Sequence, residues 1–171
     1  RHPAAIIGNR RRLVAGFRSS LHRLQLGPEQ TQALVVDLGR RAVGRGYLEQ
    51  DPRTYRWMTG REQLAMLGRL HGLRGDMLSH AVTEALARVD LADAADRRTG
   101  TYSGGMRQRL GIAGALVHRP PVIVLDEPVS ALDPEGRRDV LELIASLRGE
   151  TTVLFSTHFL ADVERICDRV G

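Results

Sequence analysis

The order of apolar segments predicts an α/β fold, a parallel-sheet core that carries a separate subdomain of helices. Three observations lead there. Successive helical patterns fill residues 60 to about 117, two short and mainly apolar runs follow at 122–125 and 151–155, and each run is succeeded by another helical pattern. Strand, helix, strand, helix is the crossover order of a parallel sheet, whose ligand chemistry lies at the C-terminal ends of the strands.

Taken in order, residues 1–45 form an unassigned basic segment. Ala33 to Val36 can be read as a strand, but Thr31 to Ala42 equally as a helix, and glycines and arginines interrupt the rest. From Thr59 the pattern sharpens. Thr59-Gly60-Arg61-Glu62 fits a capping box, and Leu64, Leu67 and Leu70 recur at helical spacing, which predicts a helix from about 60 to 71. Leu78, Ala81, Val82, Ala85, Leu86 and Val89 draw the stripe of a second helix. A third begins after Ser103, with Leu110, Ala113, Gly114 and Val117 turned inward. After Pro120-Pro121 comes VIVL, residues 122–125, too short for a helix and apolar at every position. It reads as a strand covered on both faces. Asp133 then caps a helix with Pro134 at its first position and Val140, Leu143, Ile144 and Leu147 on its inner stripe. TTVLF at 151–155 is a second buried strand, and a closing helix is expected from about 159 to 170.

Composition narrows the class. The 171 residues suffice for one domain with a sizeable core, or for part of a larger one. No run approaches the roughly 18–20 apolar residues of a membrane span. The start, RHPAAIIGNRRR, has charge on both sides of a five-residue apolar patch rather than a long apolar region, so a cytoplasmic location is expected. The single cysteine, Cys167, allows neither an internal disulfide nor a paired-cysteine zinc site, and its place in the closing apolar pattern suits core packing. All 25 basic side chains are arginine. Residues 1–50 hold nine of them against three acids, whereas 51–171 are nearly balanced. A run such as Arg10-Arg11-Arg12 could meet nucleic acid, but no stacking aromatics are interleaved there, and a solvated arm explains it as well.

The chemistry-bearing residues stand at element ends. Asp126 and Glu127 directly follow the strand 122–125, where one carboxylate can hold a hydrated Mg²⁺ and the other can poise a water. His158 follows the second strand and would bring an imidazole near the same edge. Ser103-Gly104-Gly105 opens a helix, where free backbone N–H groups and the dipole suit a phosphate. Each alone has an ordinary structural explanation as a cap or a strand end. Their ordered combination does not.

That order resembles the ATP-binding cassette (ABC) ATPases. YSGGMRQRL at 102–110 resembles the family's signature, VIVLDEP at 122–128 its Walker B strand, SALDP at 130–134 its D-loop, and STH at 156–158 its switch histidine. GYLEQDPRTYRWMTGREQL at 46–64 resembles the Q-loop and the entry to the helical subdomain. The resemblance implies a P-loop NTPase-like parallel core, present in part. Residues 46–119 would be the Q-loop and helical signature subdomain, and 120–171 the α/β core. It also implies roles. Asp126 would orient Mg²⁺, Glu127 would polarise the attacking water, and His158 would hold that glutamate and the γ-phosphate in line. Gln50 would sense metal and water. Ser103, Gly104, Gly105 and Gln108 would face ATP held by a second ATPase subunit, and Asp133 would communicate across that dimer. ATP and Mg²⁺ are the implied ligands, and a membrane permease the implied partner, placing the chain at the inner face of the cell membrane. MTGRE with YSGGMRQRL is most similar to bacterial drug and antibiotic exporters with a separate permease.

One family element is missing. The phosphate loop G-x-x-x-x-G-K-[ST] needs a lysine, and the chain has none. Three explanations stay open: a fragment whose first 45 residues are aberrant or unrelated, a degenerate cassette that only donates its signature to a partner, or an unrecognised nucleotide site in residues 1–45. The family's core usually continues beyond the switch-histidine helix, so truncation at both ends is expected. A nucleic-acid-associated ABC protein is the reading from another class. No sustained heptads support it, and nucleic acid is not an expected partner.

Overall fold

The computed structural model describes residues 4–7, 45–157, 166 and 169–170, with side chains for 46–157 and 166. The expected alternatives at Ala33–Val36 and Thr31–Ala42, most of the closing helix, Cys167 and His158 lie outside the described residues.

Five strands form one sheet: β1 Ala4–Ile7, β2 Arg45–Leu48, β3 Val122–Leu125, β4 Thr152–Ser156 and β5 Arg169–Val170. Their order is β2-β3-β4-β1-β5. The predicted parallel core is real and consists of β2, β3 and β4. It is extended by β1, antiparallel to β4, and by β5, antiparallel to β1. Two expectations change here. Arg169 and Val170 are in a strand, not in the last turn of a helix, and β4 begins and ends one residue later than the apolar run. Thr151 is instead a buried turn residue whose hydroxyl donates to the Pro120 carbonyl at 2.7 Å. Burial explains the unbroken apolar run of β3. Ile123 and Leu125 are fully buried and Val124 nearly so, because both faces of the strand are covered.

The helical lobe is inserted between β2 and β3. It comprises α1 Gly60–Leu70, α2 Gly75–Arg88, a short 3₁₀ turn Thr99–Thr101 and α3 Gly104–Leu116. The capping box at Thr59 is present in full. Its hydroxyl accepts from the Glu62 amide at 3.1 Å, and its own amide donates to the Glu62 carboxylate at 2.8 Å. Leu64 is fully buried and Leu67 partly, but Leu70 is 76% exposed, contrary to its place in the predicted stripe. Six residues at 100° each rotate Leu70 well off the face that Leu64 buries. In its stead Gly68 lies against Leu78, whose Cδ1 is 2.6 Å from where a Cβ would stand. On α2 the expected stripe is buried at Leu78, Val82, Ala85 and Leu86, with Val89 following at the cap.

The third helix ties the lobe to the sheet. A Cβ on Gly46 of β2 would stand 2.1 Å from the Ala115 carbonyl oxygen, and one on Gly111 would meet Leu48 and Pro52. Side chains at these two positions would hold α3 away from the strand. Beyond β3, α4 Pro134–Ser146 buries Val140, Leu143 and Ile144, with Leu147 at its cap, as the pattern predicts. Asp133 holds the N-cap position and Pro134 the first helical one, but the Asp133 side chain makes no capping hydrogen bond. Its carboxylate instead lies over Gly136, 2.9 Å from that residue's missing Cβ position.

Ion pairs bridge the lobe and the core. Arg88 of α2 pairs with Glu150, which precedes β4, and with Glu84 at 3.4 Å, while Arg119 also reaches Glu84. The four side chains line a cavity of about 320 Å³. Among the described residues no helix is long and apolar enough to cross a membrane.

Candidate functional site

Strand register decides what meets at the sheet edge. Leu48, Leu125 and Phe155 are level across β2, β3 and β4, so the residues after them emerge together at the C-terminal ends. Those residues include Gln50, Asp126, Glu127 and Ser156. The amide of Asp126 donates to the Leu48 carbonyl at 2.9 Å, extending the β2–β3 pairing by one step. Asp126 is buried, and its Oδ1 accepts from the Ser156 hydroxyl at 2.7 Å. The Glu127 amide donates to that same hydroxyl at 2.8 Å. Ser130 completes the group: its amide and hydroxyl both donate to the Glu127 carbonyl, at 3.2 and 3.1 Å, and Gln50 Nε2 donates to its Oγ at 3.4 Å. Glu127 has φ +45°, a left-handed conformation uncommon for a residue with a side chain.

Of the residues singled out in the sequence, Gln50, Asp126 and Glu127 are therefore brought together, and Asp133 is exposed at the start of α4 nearby in sequence. Ser103, Gly104, Gly105 and Gln108 belong to the lobe. Ser103 caps α3 by accepting from the Met106 amide at 3.2 Å. No atom other than its own neighbours lies within 4 Å of a Cβ placed on Gly104, so the helix end is open to approach. Gln108, expected to face nucleotide, is instead buried, and its Nε2 has no hydrogen-bond partner. Gly111 is level with Leu48, and Gly104 lies seven residues earlier on α3. At 1.5 Å per residue the signature end thus stands about 10 Å further along α3 from that contact.

The segment before the signature is stitched to the segment after Gln50. Thr99 N–H donates to Met58 O at 2.8 Å, Arg61 N–H to Ala95 O at 2.9 Å, and the Thr99 hydroxyl to Tyr55 O at 2.9 Å. Arg61 forks onto Asp96 at 2.8 and 3.2 Å. Those hydrogen bonds hold the Asp96 carboxyl below its ordinary range. Tyr102, 3% exposed, donates to Ala94 O at 2.7 Å, and burial raises its phenol above the ordinary value. Gln63 was not legible as a functional residue, yet it is buried and fastens the loop: its Oε1 accepts from Tyr55 N–H at 3.0 Å and its Nε2 donates to Arg53 O at 3.3 Å. Ser130 and Ser156 lie within SALDP and STH, and nothing local in the sequence marks either as functional by itself. The signal for the second is its place two residues from a candidate histidine, at the polar end of an apolar strand.

An acid pair at parallel strand ends, joined to a helical insertion with an open helix N-terminus, defines an α/β nucleotide-binding domain. The family model for the ABC transporter matches residues 23–130, more than half of the chain. The chain belongs to that family, as an ABC transporter ATP-binding component. It is 46% identical over 159 residues to the uncharacterized ABC transporter ATP-binding protein YxlF of Bacillus subtilis, covering 91% of this chain and 54% of YxlF. Identity to YdbJ of the same organism, also an uncharacterized ABC transporter ATP-binding protein, is 43% over 73% of this chain and 40% of YdbJ. ABC transporter A family member 10 of Arabidopsis thaliana is 37% identical over 81% of this chain and 15% of its own length. Among solved structures, an inward-facing conformation of a metal-chelate type ABC transporter matches with a TM-score of 0.66 and 29% identity, covering 72% of this chain and 52% of that one. The chain thus spans about half of YxlF, and the family match begins inside the basic N-terminal segment.

Proposed function

We propose that this chain is part of the ATP-hydrolysing subunit of an ABC exporter, working at the inner face of the cell membrane and driving a small molecule through a separate permease. The observation that carries the reading is the hydrogen-bonded line from Gln50 through Ser130 to Glu127, beside Asp126, at one sheet edge. It unites the Q-loop, D-loop and Walker B motifs in one site.

The donor set suits Mg²⁺, because the Asp126 carboxylate and the Gln50 amide oxygen are both hard oxygen ligands. When bound, the ion would neutralise charge on the phosphates. Asp126 would hold it, Glu127 would accept hydrogen bonding from a water aimed at the γ-phosphate, and His158 would keep both in line. Little covalent work falls to the protein, so rate comes from positioning and charge. Ser103, Gly104 and Gly105 would meet ATP carried by a second copy or a related subunit, through backbone N–H groups at the helix end. The burial of Gln108 supports a packing role for it within that helix.

The partner surface follows from exposure. Trp57 is 69% exposed and lines an apolar groove with Met58, Ala65, Met66 and Leu70, edged by Arg61, Arg69 and Arg74 against the single acid Glu62. This groove, a few residues from Gln50, suits a short permease helix with acidic ends. The bonds from Tyr55, Met58 and Arg61 to Ala95 and Thr99 offer a path from that groove to the signature.

One second reading is a cassette that serves only a partner's ATP, supported by the open helix end at Gly104. Because the family match reaches back to residue 23, residues 23–45 are better read as remnant core than as an unrelated junction. The deciding experiment joins the chain to an N-terminal half carrying G-x-x-x-x-G-K-[ST] and measures phosphate release. The fusion should hydrolyse ATP, and Glu127→Gln should bind it without turnover. Full-rate hydrolysis by Glu127→Gln would refute the role of Glu127, while a fusion that binds ATP but never hydrolyses it would favour the partner-serving cassette.

A further inference from the structure

We propose that Ser156 is a positioning residue that locks the Asp126 carboxylate and the Glu127 backbone into one unit. The functional half of this inference rests on the ATPase reading above. Its geometric half stands on the structure alone.

A serine hydroxyl has one proton to donate and lone pairs to accept with. The Glu127 N–H can only donate, so a lone pair of Ser156 receives it at 2.8 Å, and the Ser156 proton lies toward Asp126 Oδ1 at 2.7 Å. One atom on β4 is therefore bonded to two consecutive residues at the end of β3. The second bond has a specific task. Glu127 is held at φ +45°, a conformation that costs a non-glycine residue free energy unless neighbouring bonds impose it. Here its N–H is held by Ser156 and its C=O by Ser130, so the peptide groups on both sides are fixed. The direction in which the Glu127 side chain leaves the backbone is set by that turn. Val153, Leu154 and Phe155 before it are buried apolar residues, which leaves Ser156 as the polar end of β4 facing this pair. Any shift of the β4 end moves both acidic residues together.

Two readouts test the inference: Mn²⁺ affinity in the presence of ATP, by electron paramagnetic resonance of the phosphate-loop fusion, and hydrogen exchange of the Glu127 amide by NMR in the chain itself. Ser156→Ala should weaken Mn²⁺ binding at least threefold and speed Glu127 exchange at least tenfold, with the circular dichroism unchanged. Ser156→Thr, which keeps the hydroxyl, should retain both within twofold. If Ser156→Ala does not fold, Ser156→Cys replaces it, with similar volume and a weaker donor. Unchanged Mn²⁺ affinity in Ser156→Ala overturns the positioning role, as does equal loss in Ser156→Thr. A fusion with Ser156 intact that takes up no Mn²⁺ with ATP refutes the ATPase reading instead. Ser156 is then judged on amide exchange, and unchanged exchange in Ser156→Ala overturns the geometric half as well.

Discussion

Two glycines should separate structure from function when each is changed to alanine. At Gly46 the new Cβ would stand 2.1 Å from the Ala115 carbonyl oxygen and 2.8 Å from Ile123 Cγ2. A tolerable contact needs roughly 3.4 Å, so α3 would have to leave the strand by about 1 Å. The obstacle is helix backbone, which cannot rotate away as a side chain would. A gap of that size forfeits about a quarter to a half of each dispersion contact in the affected interface. Overpacking of this kind typically costs about 1–3 kcal/mol, and the rigid neighbour puts Gly46→Ala near 3 kcal/mol. At Gly104, by contrast, nothing stands within 4 Å, and alanine in the first turn of a helix should change stability by less than about 1 kcal/mol. Urea unfolding followed at 222 nm measures both. In the phosphate-loop fusion, Gly104→Ala should still lose ATP-driven pairing of subunits, because its methyl group occupies the approach to the helix end. Unfolding of Gly46→Ala within about 0.5 kcal/mol of wild type, or an equal destabilisation of Gly104→Ala, would refute this role of the two glycines.

Three further expectations follow from neighbouring features. Because the folded-state phenol of Tyr102 is raised, stability should be intact below its unfolded value near 10 and fall as pH rises through the higher folded value. Tyr102→Phe should flatten that fall in denaturation curves between pH 8 and 11, at a cost of about 1 kcal/mol for the lost bond to Ala94. Arg88→Gln should cost no more than about 1 kcal/mol, since Glu84 and Glu150 are partly exposed, and the loss should shrink in 1 M salt. Trp57 is the only tryptophan, so binding of an acidic-ended permease-helix peptide should shift its emission to the blue, and Trp57→Ala should weaken that binding at least tenfold without lowering stability.

Much of this architecture was legible because local rules and tertiary packing agree. VIVL is apolar at every position because both faces of β3 are covered, and the Thr59 box and Pro134 mark helix starts that need no distant partner. The motif order from Gln50 to Glu127 was readable for the same reason: each group sits at the end of a recognisable element. What escaped notice depends on distant contacts. Arg45–Leu48 does not look like a strand, since it carries Gly46, a residue demanded by α3 rather than by strand propensity. Leu70 looks inward by spacing, but two steps of i+3 drift around the helix, and Leu70 is left exposed. Gln108 reads as a polar signature residue, and only the packed lobe reveals its burial. The two serine hydroxyls that organise Asp126 and Glu127 were invisible because serine is common at strand ends and turns. Their meaning arises from strand register alone.

The insertion of the helical lobe between β2 and β3 also has a kinetic consequence. These strands are hydrogen-bonded neighbours, yet residues 49–121 lie between them. Closing a loop of about seventy residues as random chain costs about 2 kcal/mol more than closing one of about ten. Contacts among α1, α2 and α3 span shorter separations and can form first. Once α3 has formed, its last turn carries the chain back to the Gly46 backbone, and the distance β3 must search to find β2 shrinks to that of a short connection. The lobe is thus expected to register the sheet during refolding, and a variant that slows helix formation should delay strand pairing as well, which stopped-flow circular dichroism would show.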